Sequence, residues 1–272
     1  MKLEPTIGFP PKGVAGLYWL GQAGFWIDTG VHRILIDPYL SDSLARKYAG
    51  TAYPHLRMMP PPVTVAELPR PDLVLVTHAH TDHMDPDTLM PLRDRFPDLT
   101  FVVPAAELET ARERIGVSAE LWPALAGDRF SPLDGLEIEV FPAAHEIRER
   151  DADGRDRYLG YGIKATGLKL YHSGDSVPFD LLDGLVQSFA PDVALLPVNG
   201  RDAKRRAANI PGNFTLEEAA HLARNCAFLV PHHFGMFAFN TAETADIDTL
   251  AARTSRPKVL RPEAGSFLRI LP

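Results

Sequence analysis

Residues 72–83 read Asp72-Leu73-Val74-Leu75-Val76-Thr77-His78-Ala79-His80-Thr81-Asp82-His83. The first half is a continuous apolar run after Pro71, the pattern of a strand covered on both faces. The second half places three imidazoles and a carboxylate within six residues, directly past that strand. Histidines at i and i+2 share a face of a strand, and a loop at a strand end can spread such groups around two ions. Imidazole and carboxylate together suit zinc, manganese or iron. The competing reading is a polar loop with incidental histidines. The density of the cluster so close behind a buried strand argues against it.

Outward from this stretch the chain alternates strands and helices. Asp85 is placed to cap a helix with Pro86 as its first residue, running to about Phe96. Thr100–Val103 reads as a strand and Ala105–Ile115 as a helix ended by Gly116. Upstream, Leu17–Leu20, Gly24–Asp28 and Arg33–Asp37 read as consecutive antiparallel strands separated by glycine turns. Residues 41–71 are irregular, with Pro60-Pro61-Pro62 excluding helix or central strand. They read as a surface connection or as a flap over a site. Further on, Leu136–Phe141 alternates as a half-exposed strand. Tyr158–Ala165 and Leu168–His172 form a hairpin around Thr166-Gly167, and Asp192–Leu196 is another buried strand. Thr215-Leu216-Glu217-Glu218 is a capping-box start for a helix running toward Cys226. Ala227–Val230 is a strand leading into Pro231-His232-His233. Ala242–Arg253 reads as a helix and Phe267–Leu271 as a terminal strand. Both halves run strands first and mix in helices later. With no repeat and no linker in view, residues 1–272 are expected to form one domain.

Bulk properties narrow the function classes. The chain has 272 residues, 45% of them hydrophobic and 23% charged, as in an ordinary soluble protein. The formal net charge of -7 gives no general pull toward nucleic acid or anionic membrane. No stretch approaches the roughly 18 apolar residues of a membrane helix. The start of the chain lacks the apolar run of a signal peptide. The single cysteine, Cys226, allows no intrachain disulfide. A cytoplasmic protein is expected, with a small-molecule substrate, no nucleic-acid partner, and a homo-oligomer as an open question.

Further ligands are expected from loops at other strand ends. The candidates are His145, Asp175 and His233, each just past a predicted strand. Any one of these histidines alone would more often be a surface or hydrogen-bonded residue; their recurrence beside the cluster makes the set persuasive.

These motifs carry a family resemblance. His78-Ala79-His80-Thr81-Asp82-His83 resembles the HxHxDH signature of the metallo-β-lactamase superfamily. Tyr18-Trp19-Leu20-Gly21-Gln22-Ala23-Gly24-Phe25 and Leu170-Tyr171-His172-Ser173-Gly174-Asp175-Ser176 are similar to segments of the branch containing L-ascorbate-6-phosphate lactonase. So are Asn213–Ala219 and Val230-Pro231-His232-His233. The resemblance covers roughly residues 16 to 240. It implies an α/β fold, a four-layer αββα sandwich, and two divalent metal ions, Mn2+ or Zn2+. It further implies that His78, His80 and His145 hold the first metal, that Asp82, His83 and His233 hold the second, and that Asp175 bridges them. Asp37 would support the histidine loop as a carboxylate behind the ligands; from sequence alone it reads equally as a turn residue before Pro38. His232 is open between ligand in place of His233, substrate contact and no role. Two departures accompany the resemblance. The lactonase has an acidic residue where this chain has His145, and this chain lacks much of the lactonase's extension.

The chemistry implied is hydrolysis by a metal-bound hydroxide, with Asp82 and Asp175 as the catalytic carboxylates. The metal core alone does not choose a substrate. Two arginine-rich stretches bear on that choice: Arg148, Arg150, Arg155 and Arg157 after His145, and Arg201, Lys204, Arg205 and Arg206 after Asn199. Arginine forks suit phosphate groups. The bland reading is a pair of solvated loops, since acidic residues neutralise the first stretch. Asn199, Arg201 and His232 are the candidate substrate contacts. The first functional expectation is a lactonase-like hydrolase of a small anionic sugar derivative. The alternatives are a metal-dependent phosphodiesterase, resembling the phospholipase D that acts on N-acylphosphatidylethanolamine, and an inactive binding or scaffold protein.

Overall fold

The computed structural model describes residues 1–272, a mixed α/β chain with two sheets and seven helices. By chain contacts it divides into two compact units, Met1–Ala124 with Pro262–Pro272, and Leu125–Arg261. In chain order the first unit contributes β1 (Lys2–Ile7), β2 (Gly16–Gly21), β3 (Gly24–Asp28), β4 (Arg33–Ile36), α1 (Ser43–Lys47), β5 (Leu73–Leu75), α2 (Pro86–Arg95), β6 (Thr100–Pro104), α3 (Leu108–Ile115) and β7 (Glu120–Ala124). The second contributes β8 (Arg129–Leu133), β9 (Leu136–Pro142), β10 (Leu159–Ala165), β11 (Leu168–His172), α4 (Leu182–Phe189) and β12 (Val193–Pro197). It continues with α5 (Ala203–Ala207), α6 (Leu216–Leu222), β13 (Phe228–His232), α7 (Thr244–Arg253) and β14 (Lys258–Val259). The chain then returns to the first unit with β15 (Ser266–Leu271).

The first sheet runs β1-β15-β2-β3-β4-β5-β6-β7 and the second β14-β13-β12-β11-β10-β9-β8. Each sheet is parallel where helices carry the chain back and otherwise antiparallel, through short connections and, in the first sheet, through the returning β15. In the first, β4 through β7 are parallel; in the second, β11 through β14 are. The run Leu73-Val74-Leu75 is wholly buried, as a doubly covered strand requires.

The helices are held by packing more than by propensity. In the first unit α2 brings Leu89 and Leu92, and α3 brings Ala111 and Ile115, onto one sheet face built from Tyr18, Leu20, Trp26, Leu35, Val74, Val76, Phe101, Val103 and Phe267. Each large aliphatic chain so buried contributes about 1.5–3 kcal/mol. That offsets Pro91 inside α2, which removes a helical hydrogen bond. Asp85 caps α2 by accepting from Asp87 N, with Pro86 at the first position, as the sequence predicts.

Several elements differ from expectation. The Ala105–Ile115 helix opens with a 3-10 turn over Ala105–Glu107 before α3 begins. The helix capped by Thr215 ends at Leu222, four residues short of Cys226. Residues 41–71 hold the short α1, and α4, α5 and the edge strands β1, β7, β8 and β14 had no clear local signal. No helix is long and apolar enough to cross a membrane.

Candidate functional site

The first unit places one donor set past β5. Its organiser is Asp37, one residue beyond β4, where the backbone turns left-handed at φ 43°. A non-glycine residue pays for that geometry in strain, and such strain gathers at functional positions. Asp37 Oδ1 accepts from Thr77 N at 2.8 Å, and its Oδ2 accepts from Thr77 Oγ1 at 2.6 Å. The same Oδ2 lies 2.7 Å from His83 Nδ1. All three residues are fully buried. Ionised Asp37 can only accept, so His83 carries its proton on Nδ1 and presents the lone pair of Nε2. A carboxylate holding the far nitrogen of an imidazole is the usual support of a metal-ligating histidine.

The other donors gather around it. The rings of His78 and His83 lie 4.0 Å apart, and those of His78 and His80 lie 4.7 Å apart. His83 Nε2 stands 3.9 Å from Asp82 Oδ2. That oxygen also accepts from Gln22 Nε2 at 2.7 Å. Gln22 has a left-handed backbone too, φ 51°, and its carbonyl accepts from Trp19 Nε1. The histidine loop is tied down from below: Met84 N donates to His80 O at 2.8 Å, and Arg114 of α3 donates to Ala79 O. Thr88 of α2 donates to Asp85 and accepts from Leu40 N, fixing the segment after Asp37 to the same helix.

The second unit carries its own set, again past strand ends. His145 follows β9, Asp175 follows β11 and His233 follows β13, all buried. His145 Nε2 is 3.6 Å and His233 Nε2 is 3.1 Å from one oxygen, Asp175 Oδ2. His233 has φ 60°. The loops are stitched together by Ala144 N donating to Ser176 Oγ and Val177 N donating to Ala144 O. Before Asp175, Gly174 N donates to His172 Nδ1 at 3.0 Å.

The remaining candidates are structural in their visible contacts. His232 is the last residue of β13, fully buried and stacked on His172 at 4.6 Å. Asn199 donates to Asn240 Oδ1 and accepts from Asn213 Nδ2. Arg201 forms a two-pronged pair with Glu218 at 2.6 and 2.7 Å. The other arginines singled out for an anionic substrate are engaged likewise: Arg148 and Arg150 with Asp156, Arg155 with Asp151, Arg157 with Glu149, Arg205 with Asp202, and Arg206 with Glu146. Burial pushes the Cys226 thiol up to about 12, so it is no nucleophile at neutral pH. Sequence reasoning missed Gln22 and Thr77, which touch Asp82 and Asp37. Gln22 sits in the Gly21–Gly24 turn, whose glycines marked only a turn.

The donors able to hold an ion are thus His78, His80, Asp82 and His83 in the first unit and His145, Asp175 and His233 in the second. An all-nitrogen and oxygen set with no thiolate fits zinc, manganese or iron.

Comparison with known proteins agrees with this chemistry. The family model described as "Beta-lactamase superfamily domain" matches residues 32–234. A UPF0173 metal-dependent hydrolase of Caldivirga maquilingensis is 28% identical over 228 residues, covering 81% of this chain and 82% of that one. Another UPF0173 metal-dependent hydrolase, from Pyrobaculum aerophilum, is 27% identical over 257 residues, covering 93% and 98%. Among solved structures, a metallo hydrolase from Ignicoccus hospitalis superposes with a TM-score of 0.71 at 20% identity, covering 95% of this chain and 99% of that one. That last likeness concerns the fold.

Proposed function

The chain belongs to the β-lactamase superfamily and is a metal-dependent hydrolase of that superfamily; on that premise we propose that residues 1–272 work as one domain whose two donor sets hold a pair of divalent cations, Mn2+ or Zn2+. In this reading His78, His80 and His145 hold one ion, Asp82, His83 and His233 hold the other, and Asp175 is shared. The family match supports treating the units as one domain, because it runs through both. The observation that carries the assignment is the approach of His145 Nε2 and His233 Nε2 to the same oxygen of Asp175.

When bound, such a pair supplies Lewis acidity at a substrate oxygen and lowers the pKa of water toward neutrality. The chain's residues do the rest. Asp82 and Asp175 orient the attacking water. One of these two carboxylates takes its proton, and Gln22 steadies Asp82 through Oδ2. Asp37 keeps His83 in one tautomer throughout.

For the substrate we favour the lactone of a small sugar derivative. The carboxylate partners of Arg148, Arg201, Arg205 and Arg206 weaken the case for a phosphate grip. They leave the expected anionic handle without support, and the preference for a lactone rests on the sequence resemblance. The test sets aldonolactones against bis(p-nitrophenyl) phosphate, with ring opening followed by proton release. Lactone hydrolysis is expected to prevail and to fall about 100-fold or more on chelation or in His80→Ala. Full activity after the metal is removed would overturn the mechanism. Preferential cleavage of the phosphodiester would overturn the substrate class.

A further inference from the structure

His145 is a donor of the second unit, and its neighbour behaves unusually. Glu146 has φ 69°, a left-handed backbone that favours glycine or asparagine. Its side chain is fixed at both oxygens. Oε1 accepts from Gly212 N at 3.1 Å, and Oε2 accepts from Arg206 Nε at 3.0 Å and lies 2.7 Å from Arg206 Nη2. The segment before His145 is held from the other side, through Ala144, by Ser176 and Val177 in the Asp175 loop.

We infer that Glu146 is a positioning residue for His145: its carboxylate, clamped by Arg206 and the Gly212 amide, sets the imidazole against Asp175. The inference rests on the reading of His145 as a metal ligand. A short loop with free ends would let His145 turn. Here the ligand sits between two anchors, one of hydrogen bonds to the Asp175 loop and one of charge to the stretch from α5 to α6. Without a use for its carboxylate, the position would be better filled by glycine. The same contacts give the 201–212 stretch a role as a brace for the donor loop.

Glu146→Gly deletes the clamp without adding backbone strain, so a loss cannot be laid to a strained left-handed residue. Arg206→Ala, at a side chain 65% exposed, removes one jaw with little risk to folding. The first readout uses metal-free protein. Hydrogen exchange at the Gly212 amide and across residues 143–148 should speed up in Glu146→Gly relative to wild type. The second readout is Zn2+ affinity by chelator competition, together with the visible spectrum of the Co2+-loaded protein. One ion should bind about 10–100-fold more weakly in Glu146→Gly, and its Co2+ bands should shift. Arg206→Ala should show a smaller loss that 1 M salt reproduces in wild type. Unchanged exchange in Glu146→Gly would overturn the inference, as would unchanged affinity and spectrum. Wild-type protein that binds no Zn2+ would overturn the functional reading and with it the role toward a metal; the exchange readout would still report whether the clamp exists.

Discussion

At the scale of single residues, Asp37 anchors the loop that carries the first donor set, through Thr77 and His83. It fixes the Thr77 amide, the Thr77 hydroxyl and the far nitrogen of His83, all out of water. Asp37→Asn keeps one acceptor oxygen and replaces the other with a donor facing a donor. A buried polar group left unmatched costs about 1–3 kcal/mol. The variant should lose stability on that scale in chemical denaturation and bind Zn2+ about 10–100-fold more weakly in chelator competition. Wild-type values in both measurements would remove Asp37 from the account. His78, His80, Asp82 and His83 were legible as candidate donors because ligand chemistry demands particular side chains in a dense cluster. Asp37 was half legible, since an aspartate before Pro38 serves as well to make a turn. Gln22 and Glu146 were not legible. Their importance comes from left-handed backbone and from partners far along the chain, Asp82 and Arg206, which no local pattern announces.

At the scale of elements, α2 is the floor of the histidine loop. Asp85 caps it directly after that loop, and Leu89 and Leu92 pin it to the sheet. Leu89→Ala should cost about 2–5 kcal/mol of stability, as buried leucine truncations do. The loss should appear in denaturant unfolding with the metal removed, which separates packing from ligand binding. A cost below about 1 kcal/mol would mean that α2 is not held by this face. Helices with capping chemistry were readable in advance: α2 through Asp85-Pro86, and α6 through the reciprocal box of Thr215 and Glu218. By contrast, α4 follows Leu181, which is left-handed and makes no side-chain cap, and it contains Gly184. Asp183 in the first turn is the one usual start signal there.

At the scale of the whole molecule, the order of strands explains why candidate donors from distant parts of the sequence each lie past a strand end. In each sheet the chain moves from antiparallel to parallel strands, and the donor loops follow strand ends. That alternation was visible as strands followed by helices in each half. The return of β15 between β1 and β2, pairing Phe267 with Tyr18, was not, because its register is set by contacts made only after the chain has folded. The division into two compact units was likewise hidden, since no change of composition marks residues 124 and 125. The central claim is the proposal that the His and Asp donors of this chain hold a pair of divalent cations. Its most direct test is metal content per chain by mass spectrometry, on untagged protein reconstituted with Zn2+ or Mn2+, beside His80→Ala and His233→Ala. The account predicts about two ions per wild-type chain, as in a binuclear hydrolase, and loss of bound metal in each variant. A wild-type chain that retains no ion, or a His233→Ala chain that retains the full wild-type content, would contradict it.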